Sequence, residues 1–89
     1  MSTFHIIVSG KVQGVFFRVN ARNKASELGL TGWVKNTPEG KVEIVATGND
    51  QSLFHFTEWC KRGPEKAEVA DVAITKCDPQ IFSSFIIIR

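Results

Sequence analysis

The sequence predicts an α+β fold, a ferredoxin-like, split β-α-β sandwich in which two helices cover one face of an antiparallel sheet. Hydrophobic patterns with the periods of strands and helices alternate in the order β-α-β-β-α-β, and one further strand follows. The chain has 89 residues, of which 43% are hydrophobic, and this suits one small core. Because no repeat, linker or low-complexity segment interrupts it, we expect a single domain over residues 1–89.

The first predicted elements are a strand and a helix. Residues 4–9 are rich in β-branched side chains and predict a strand that Gly10 stops. Over residues 17–28, apolar side chains recur at spacings of 4, 4 and 3, the pattern of one buried helix face. Gly29 then suits the left-handed position just beyond a helix end. The apolar positions of the helix are Phe17, Ala21, Ala25 and Leu28.

A hairpin is predicted next. Residues 31–37 and residues 41–47 are expected to be two strands around a turn at residues 38–40. In the second strand apolar and polar side chains alternate, so one sheet face is buried and the other is at least partly exposed to water. The apolar positions are Val42, Ile44 and Ala46.

The rest of the chain predicts a second helix and two strands. Residues 49–50 offer a helix N-cap, and residues 63–64, Gly-Pro, end the helix. Residues 69–75 and 82–88 are expected to be the last strands. The side chains expected to be buried on the second helix are Leu53, Phe56 and Cys60.

Charge and composition argue against several classes of partner. Eleven basic residues are interleaved with nine acidic ones, unlike the clustered cations of a nucleic-acid-binding surface. No apolar run approaches the roughly 20 residues of a membrane span, and no secretory leader is recognisable. Cys60 and Cys77 lack the spacing of metal ligands and are expected to be reduced thiols of a cytoplasmic protein, with a disulfide as the alternative.

The clearest chemical signal is residues 10–18, between the first strand and the first helix. A helix start exposes unpaired N–H groups at the positive end of its dipole, and these groups can bind an anion. Gly14 lets the loop curl so that the N–H groups converge. Arg18 falls in the first turn, where a cation is unfavourable unless an anion compensates it, and its guanidinium can hold two phosphoryl oxygens. A purely structural junction is the alternative, since neither GxxxxGK[ST] nor GxGxxG is present.

Asn36 is the second candidate, at the end of a predicted strand. The simplest interpretation is a turn-entry residue that hydrogen-bonds its own backbone. Asn36 becomes a functional candidate only if its strand lies beside the loop of residues 10–18. Nearby Trp33 is expected to pack against the sheet rather than to stack on a ligand.

Two separated motifs resemble the acylphosphatase family. They are Gly10-x-Val12-Gln13-Gly14-Val15-x-Phe17-Arg18, and Leu28-Gly29-Leu30-x-Gly32-Trp33-Val34-x-Asn36 followed by Gly40-x-Val42-Glu43. The resemblance covers nearly the whole chain. It implies the ferredoxin-like fold, hydrolysis of the carboxyl–phosphate bond of acyl phosphates, no metal and no cofactor. The implied ligands are a small-molecule acyl phosphate and inorganic phosphate, bound by a monomer that engages neither nucleic acid nor membrane.

The resemblance also implies roles for single residues. Arg18 and Asn36 would be the catalytic residues, with Arg18 as the cation and Asn36 as the holder of the attacking water. Val19 and Asn20 stand where the family pattern has an aromatic residue followed by Ser or Thr, so no role is carried onto them. The residues that would bind the phosphoryl group are Gln13, Gly14, Val15, Phe16, Phe17 and Arg18.

Such a reaction needs few side chains. The leaving carboxylate is a weak base and departs without a general acid, so catalysis reduces to positioning and charge stabilisation. Two other function classes are alternatives. An RNA-binding sheet would need a basic-aromatic strand, which residues 41–45 do not provide. A phosphate-binding domain without turnover is disfavoured by the presence of both Arg18 and Asn36.

Overall fold

The predicted elements form in the predicted order in a computed structural model that describes residues 1–89. Most of their ends lie within two residues of the predicted ones, and the last strand begins three residues later than predicted. In chain order the elements are β1 (Ser2–Lys11), α1 (Phe17–Glu27), β2 (Thr31–Asn36), β3 (Val42–Gly48), α2 (Asp50–Arg62), β4 (Glu68–Cys77) and β5 (Phe85–Ile87).

One five-stranded sheet carries both helices. The strand order is β4-β1-β3-β2-β5. Helix α1 packs over β2 and β5, and α2 packs over β4 and β1, so that one hydrophobic core lies between the helices and the sheet. This arrangement confirms the ferredoxin-like α+β fold.

The sheet is mixed, although an antiparallel sheet was the sequence-based expectation. β5 pairs in parallel with β2, with Gly32 opposite Phe85 and Val34 opposite Ile87, while the other three pairings are antiparallel. The reason is geometric. Residues 78–84 connect the end of β4 to the opposite edge of the sheet, and a connection this short cannot also return along the strands. β5 therefore runs opposite to β4, which is the direction of β2.

The core contains the side chains that the periodicity predicted to be buried. On α1, Phe17, Ala21 and Ala25 are buried, whereas Leu28 at the helix end is only partly buried. The rings of Phe56 and Phe85 pack edge to face across the core, with centroids 6.1 Å apart. The buried apolar residues of β1, β2 and β3 on the helix side of the sheet are Ile6, Val8, Val34, Val42, Ile44 and Ala46.

Gly10 does not end β1, contrary to the expectation from the sequence. The strand continues to Lys11 through a shift of register against β4 between Ser9 and Gly10. At Gly10 the φ angle is +121°, and a Cβ atom there would lie 2.3 Å from the backbone oxygen of Glu68. Glycine at this position therefore allows β1 to pack against a bulge of β4, in which Ala70 is the extra residue.

Helix α2 begins at the N-cap that the sequence predicts. The side chain of Asn49 accepts a hydrogen bond of 2.7 Å from the backbone N–H of Ser52. Gly63, with φ +71°, follows the last residue of the helix. Neither this helix, of 13 residues, nor α1, of 11 residues, is long and apolar enough to cross a membrane.

Candidate active site

Three strands have their C-terminal ends at the end of the sheet where α1 begins. β1, β2 and β5 run in the same direction, so their C-terminal ends lie together. Residues 12–16 follow β1, Asn36 ends β2, and Arg89 lies beyond β5. These segments surround a cavity of about 220 Å³. Its lining residues are Val12, Gly14, Phe16, Phe17, Arg18, Val19, Asn36, Ile87 and Arg89.

The loop reaches α1 through left-handed backbone conformations. Gly14 has φ +73°, and Phe16, the N-cap of α1, has φ +61°, which is rare for a bulky residue. No side chain caps the helix and no acidic residue stands in its first turn, so the first N–H groups have no side-chain acceptor. Instead, the Nδ2 atom of Asn20 donates to the carbonyl oxygen of Phe16 at 2.8 Å, which fixes the first turn from within the helix.

Arg18 lies in that first turn and lines the cavity. Its half-buried side chain makes no ion pair and no hydrogen bond within the chain. A cation at the positive end of a helix dipole is unfavourable by a few tenths of a kcal/mol or more unless an anion is bound beside it. The arrangement therefore favours a bound anion.

Asn36 faces the same cavity from β2. It is the last residue of that strand and pairs with Val42 of β3, which fixes its backbone. Its Oδ1 atom is buried and has no hydrogen-bond partner in the chain. A buried acceptor without a donor costs about 1–3 kcal/mol, and a partner brought by a ligand or a water would remove this cost.

The acylphosphatase family model matches residues 4–87, nearly the whole chain. The chain belongs to the acylphosphatase family. An acylphosphatase of Marinobacter nauticus is 55% identical to it over 73 residues, which are 82% of this chain and 79% of that protein. Its family membership confirms the resemblance of the two motifs and identifies the protein as an enzyme that hydrolyses acyl phosphates.

Solved acylphosphatase structures share the architecture. The crystal structure of acylphosphatase from Bacillus subtilis superposes with a TM-score of 0.97 at 38% identity and covers 100% of both chains. The structure of an acylphosphatase from Coxiella burnetii has a TM-score of 0.94 at 48% identity, over 97% of this chain and 90% of that chain. The fold around the cavity is thus that of the acylphosphatase family.

Two of the predicted phosphate-binding residues do not line the cavity. Val15 is buried and its side chain joins the core. The side chain of Gln13 is directed to the β2–β3 hairpin, where Nε2 donates to the carbonyl oxygens of Thr37 at 2.9 Å and Lys41 at 2.8 Å. For both residues only the backbone N–H is left to serve the anion, as the sequence-based hypothesis of an N–H nest requires.

Ile87 and Arg89 line the cavity but were not among the sequence candidates. Like Arg18, Arg89 makes no ion pair or hydrogen bond within the chain. The sequence does indicate a strand at the end of the chain. The direction of this strand becomes evident only from its pairing with β2. That direction brings the C-terminal end of the strand to the end of the sheet where the loop lies.

The other titratable candidates lie outside the cavity. His5 Nε2 and Glu43 Oε2 are hydrogen-bonded at 2.7 Å, and Lys35 Nζ is 3.6 Å from the other oxygen of Glu43, so Glu43 forms an ion pair with Lys35. The hydrogen bond from His5 has the largest effect and lowers the pKa of Glu43; burial raises it by less, and the nearby charge of Lys35 lowers it further. Burial raises the pKa of the Cys60 thiol, and both cysteines are free thiols. No three His, Cys, Asp or Glu side chains cluster closely enough to hold a metal ion.

Proposed function

We propose that the N–H groups of residues 13–18 and the guanidinium of Arg18 bind the phosphoryl group of an acyl phosphate, and that Asn36 positions the attacking water. The main support is one observation. Arg18 and Asn36 line the same cavity as Gly14 and Phe16, although they come from a helix and from a separate strand. No ion pair occupies Arg18 and no hydrogen bond occupies the Oδ1 atom of Asn36.

The phosphoryl group is the part of the substrate that these residues fit. Charge in the transition state of phosphoryl transfer spreads over three equatorial oxygens. The N–H groups at the start of α1, which lack a side-chain cap, and the planar fork of Arg18 can donate to one anion from different sides. Donors fixed before the reaction stabilise the developing charge without having to reorganise, and loss of one such donor typically lowers kcat by about 10²–10³-fold.

Asn36 suits the nucleophile because its amide is neutral. It can donate one hydrogen bond to the water and accept another, so the water is held with a lone pair free for phosphorus. A carboxylate in the same place would repel the dianionic substrate. Pairing with Val42 fixes the backbone of Asn36 at the end of β2, and a fixed position of the nucleophile favours the reaction.

The remaining chemistry needs no acid or base from the protein. The oxygen of water bonds to phosphorus while the bond from phosphorus to the carboxylate oxygen breaks. An acyl phosphate dianion and water thus become a carboxylate and dihydrogen phosphate, because one proton of the water passes to a phosphoryl oxygen. Any later ionisation of the product to monohydrogen phosphate releases a proton to solvent. No carboxylate, histidine, cysteine or lysine lines the cavity, in agreement with this economy. We further propose that the enzyme acts as a cytoplasmic monomer, without metal or cofactor.

Hydrolysis of benzoyl phosphate by two matched variants tests the role of Arg18. Arg18→Lys keeps the charge but not the two-pronged contact, and we expect kcat/KM to fall on the order of 100-fold. Arg22→Lys makes the same substitution one helical turn later, where the side chain hydrogen-bonds to Asn23, and should leave kcat/KM within about twofold. Circular dichroism verifies that both variants fold. Turnover close to that of the wild type in a folded Arg18→Lys variant would show that the guanidinium does not bind the phosphoryl group.

A further inference from the structure

The side chain of Gln13 joins the loop of residues 12–16 to the hairpin that carries Asn36. Its Nε2 atom uses both hydrogens, donating to Thr37 O at 2.9 Å and to Lys41 O at 2.8 Å. The two acceptors lie 24 and 28 residues away in the chain. Thr37 directly follows Asn36, so the contact is made one residue from the amide proposed to hold the water.

The two acceptors are the atoms that close the hairpin turn. Lys41 O also accepts from the backbone N–H of Thr37 at 2.9 Å, and Thr37 O also accepts from that of Gly40 at 3.1 Å. Gln13 therefore binds a turn that is already held by its own hydrogen bonds. Because Asn36 directly precedes this turn, fixing the turn also fixes the position of Asn36 relative to the loop.

No backbone pairing performs the same task. Pairing between β1 and β3 ends at Val8 and Val42. Beyond it β1 pairs only with β4, on its other side, and the chain then leaves the sheet to form the loop. The hydrogen bonds from residues 9–16 to residues 36–41 are the two that Gln13 donates.

We infer that Gln13 is a positioning residue, whose carboxamide sets the distance between the phosphoryl-binding loop and Asn36. The inference rests on the proposed function, because it assigns the water to Asn36 and the phosphoryl group to the loop. Nucleophile and phosphorus must be held in near-attack geometry, and a displacement of about 1 Å lowers rates by up to about 100-fold. The side chain of Gln13 acts through Asn36 and touches neither water nor substrate; only its backbone N–H faces the phosphoryl group.

The test is a double-mutant cycle on benzoyl phosphate hydrolysis with Gln13→Met and Asn36→Ala. Met has nearly the length of Gln and no donor. Gln13→Met should lower kcat about 10-fold or more, while the Kd for inorganic phosphate changes less than about twofold. In the Asn36→Ala background the same substitution should lower kcat less than about twofold, because the residue through which it acts is already gone.

A control variant that loses a hydrogen bond far from the cavity separates an effect of positioning on kcat from a general loss of folding stability. Asn49→Ala removes the side-chain hydrogen bond that caps α2, at the opposite edge of the sheet, and should leave kcat unchanged. Equal losses of kcat from Gln13→Met in both backgrounds, or a matching loss of phosphate affinity, would overturn the inference. A wild-type kcat in the Asn36→Ala variant would instead refute the role of Asn36. If Asn36→Ala loses most of its kcat while Gln13→Met stays fully active, only the role of Gln13 is refuted.

Discussion

Inorganic phosphate, the reaction product, should stabilise the folded enzyme in a saturable way. The product anion fits the same N–H groups and the same guanidinium as the phosphoryl group of the substrate. In the structure these groups have no partner of their own, since α1 lacks a side-chain cap and Arg18 lacks an ion pair. A ligand that binds only the folded state raises the free energy of unfolding by RT ln(1 + [L]/Kd).

The size of the effect follows from the length of the chain. At a phosphate concentration ten times Kd, the added free energy of unfolding is about 1.4 kcal/mol. With an unfolding entropy of roughly 2.1 cal/mol/K per residue, the 89 residues contribute about 0.19 kcal/mol/K near the melting temperature. The expected rise in Tm is therefore about 7 °C, and it should grow with the logarithm of the phosphate concentration beyond this point.

Differential scanning calorimetry on three proteins provides the assay. Wild type and Arg22→Ala should show the full rise, because Arg22 does not line the cavity. Arg18→Ala should lose most of it, and phosphate should inhibit the wild type competitively. Chloride at matched ionic strength controls for screening of surface charge. Equal rises in all three proteins would mean that phosphate acts on the surface in general, and the proposed anion site would be wrong.

Three further predictions concern the water, the metal and a surface ion pair. Asn36→Ala should lower kcat on the order of 100-fold while the Kd for phosphate, measured by calorimetry, stays unchanged. The control variant Asn23→Ala should retain full kcat. A loss of phosphate affinity parallel to the loss of kcat would place Asn36 in the binding site instead. Turnover should persist in EDTA, and activity restored only by an added divalent cation would contradict the metal-free reaction. Glu43→Gln should lower the free energy of unfolding at pH 7 by up to about 1 kcal/mol, and the difference should vanish as the pH falls below the ordinary pKa of 4.5, since a lowered pKa stabilises the fold only while the carboxylate is ionised. Chemical denaturation at pH 7 and pH 3 measures this difference, and an equal difference at both values would show that the ionised carboxylate of Glu43 is not its source.

The sequence suffices to predict those features that depend on local chemistry. Helix periodicity identifies Phe17, Ala21 and Ala25 as buried, because the pattern repeats within one element. Gly14 and Arg18 mark the loop for a local reason as well, since one permits positive φ and the other is out of place in a first turn. Asn36 could be linked to the loop only through the family motif, because nothing local distinguishes it from an ordinary turn residue.

What the sequence does not indicate depends on how distant segments meet. The parallel pairing of β5 brings Ile87 and Arg89 to the cavity, and strand direction is not encoded in an alternating pattern. The partners of the Gln13 side chain lie beyond a helix in the chain, so the sequence predicts Gln13 only as part of the phosphate-binding loop and does not indicate its contacts to the hairpin. Gly10 was expected to end a strand, whereas the bulge it permits is visible only against Glu68 of the neighbouring β4.

Several unfavourable features of the chain lie together around the cavity at one end of the sheet. Arg18 stands at the positive end of a helix dipole, and Phe16 adopts a left-handed conformation that costs a bulky residue about 1 kcal/mol or more. The start of α1 has no side-chain cap, and Asn36 holds an acceptor without a donor. Elsewhere the fold avoids such costs, as the Asn49 cap of α2 demonstrates. An anion or a water in the cavity would improve three of these features, namely Arg18, the start of α1 and the acceptor of Asn36. The fourth, the conformation of Phe16, belongs to the loop that borders this cavity. A bound phosphate would compensate the charge of Arg18 and accept from the uncapped N–H groups of α1, and for this reason the melting temperature should respond to phosphate through Arg18.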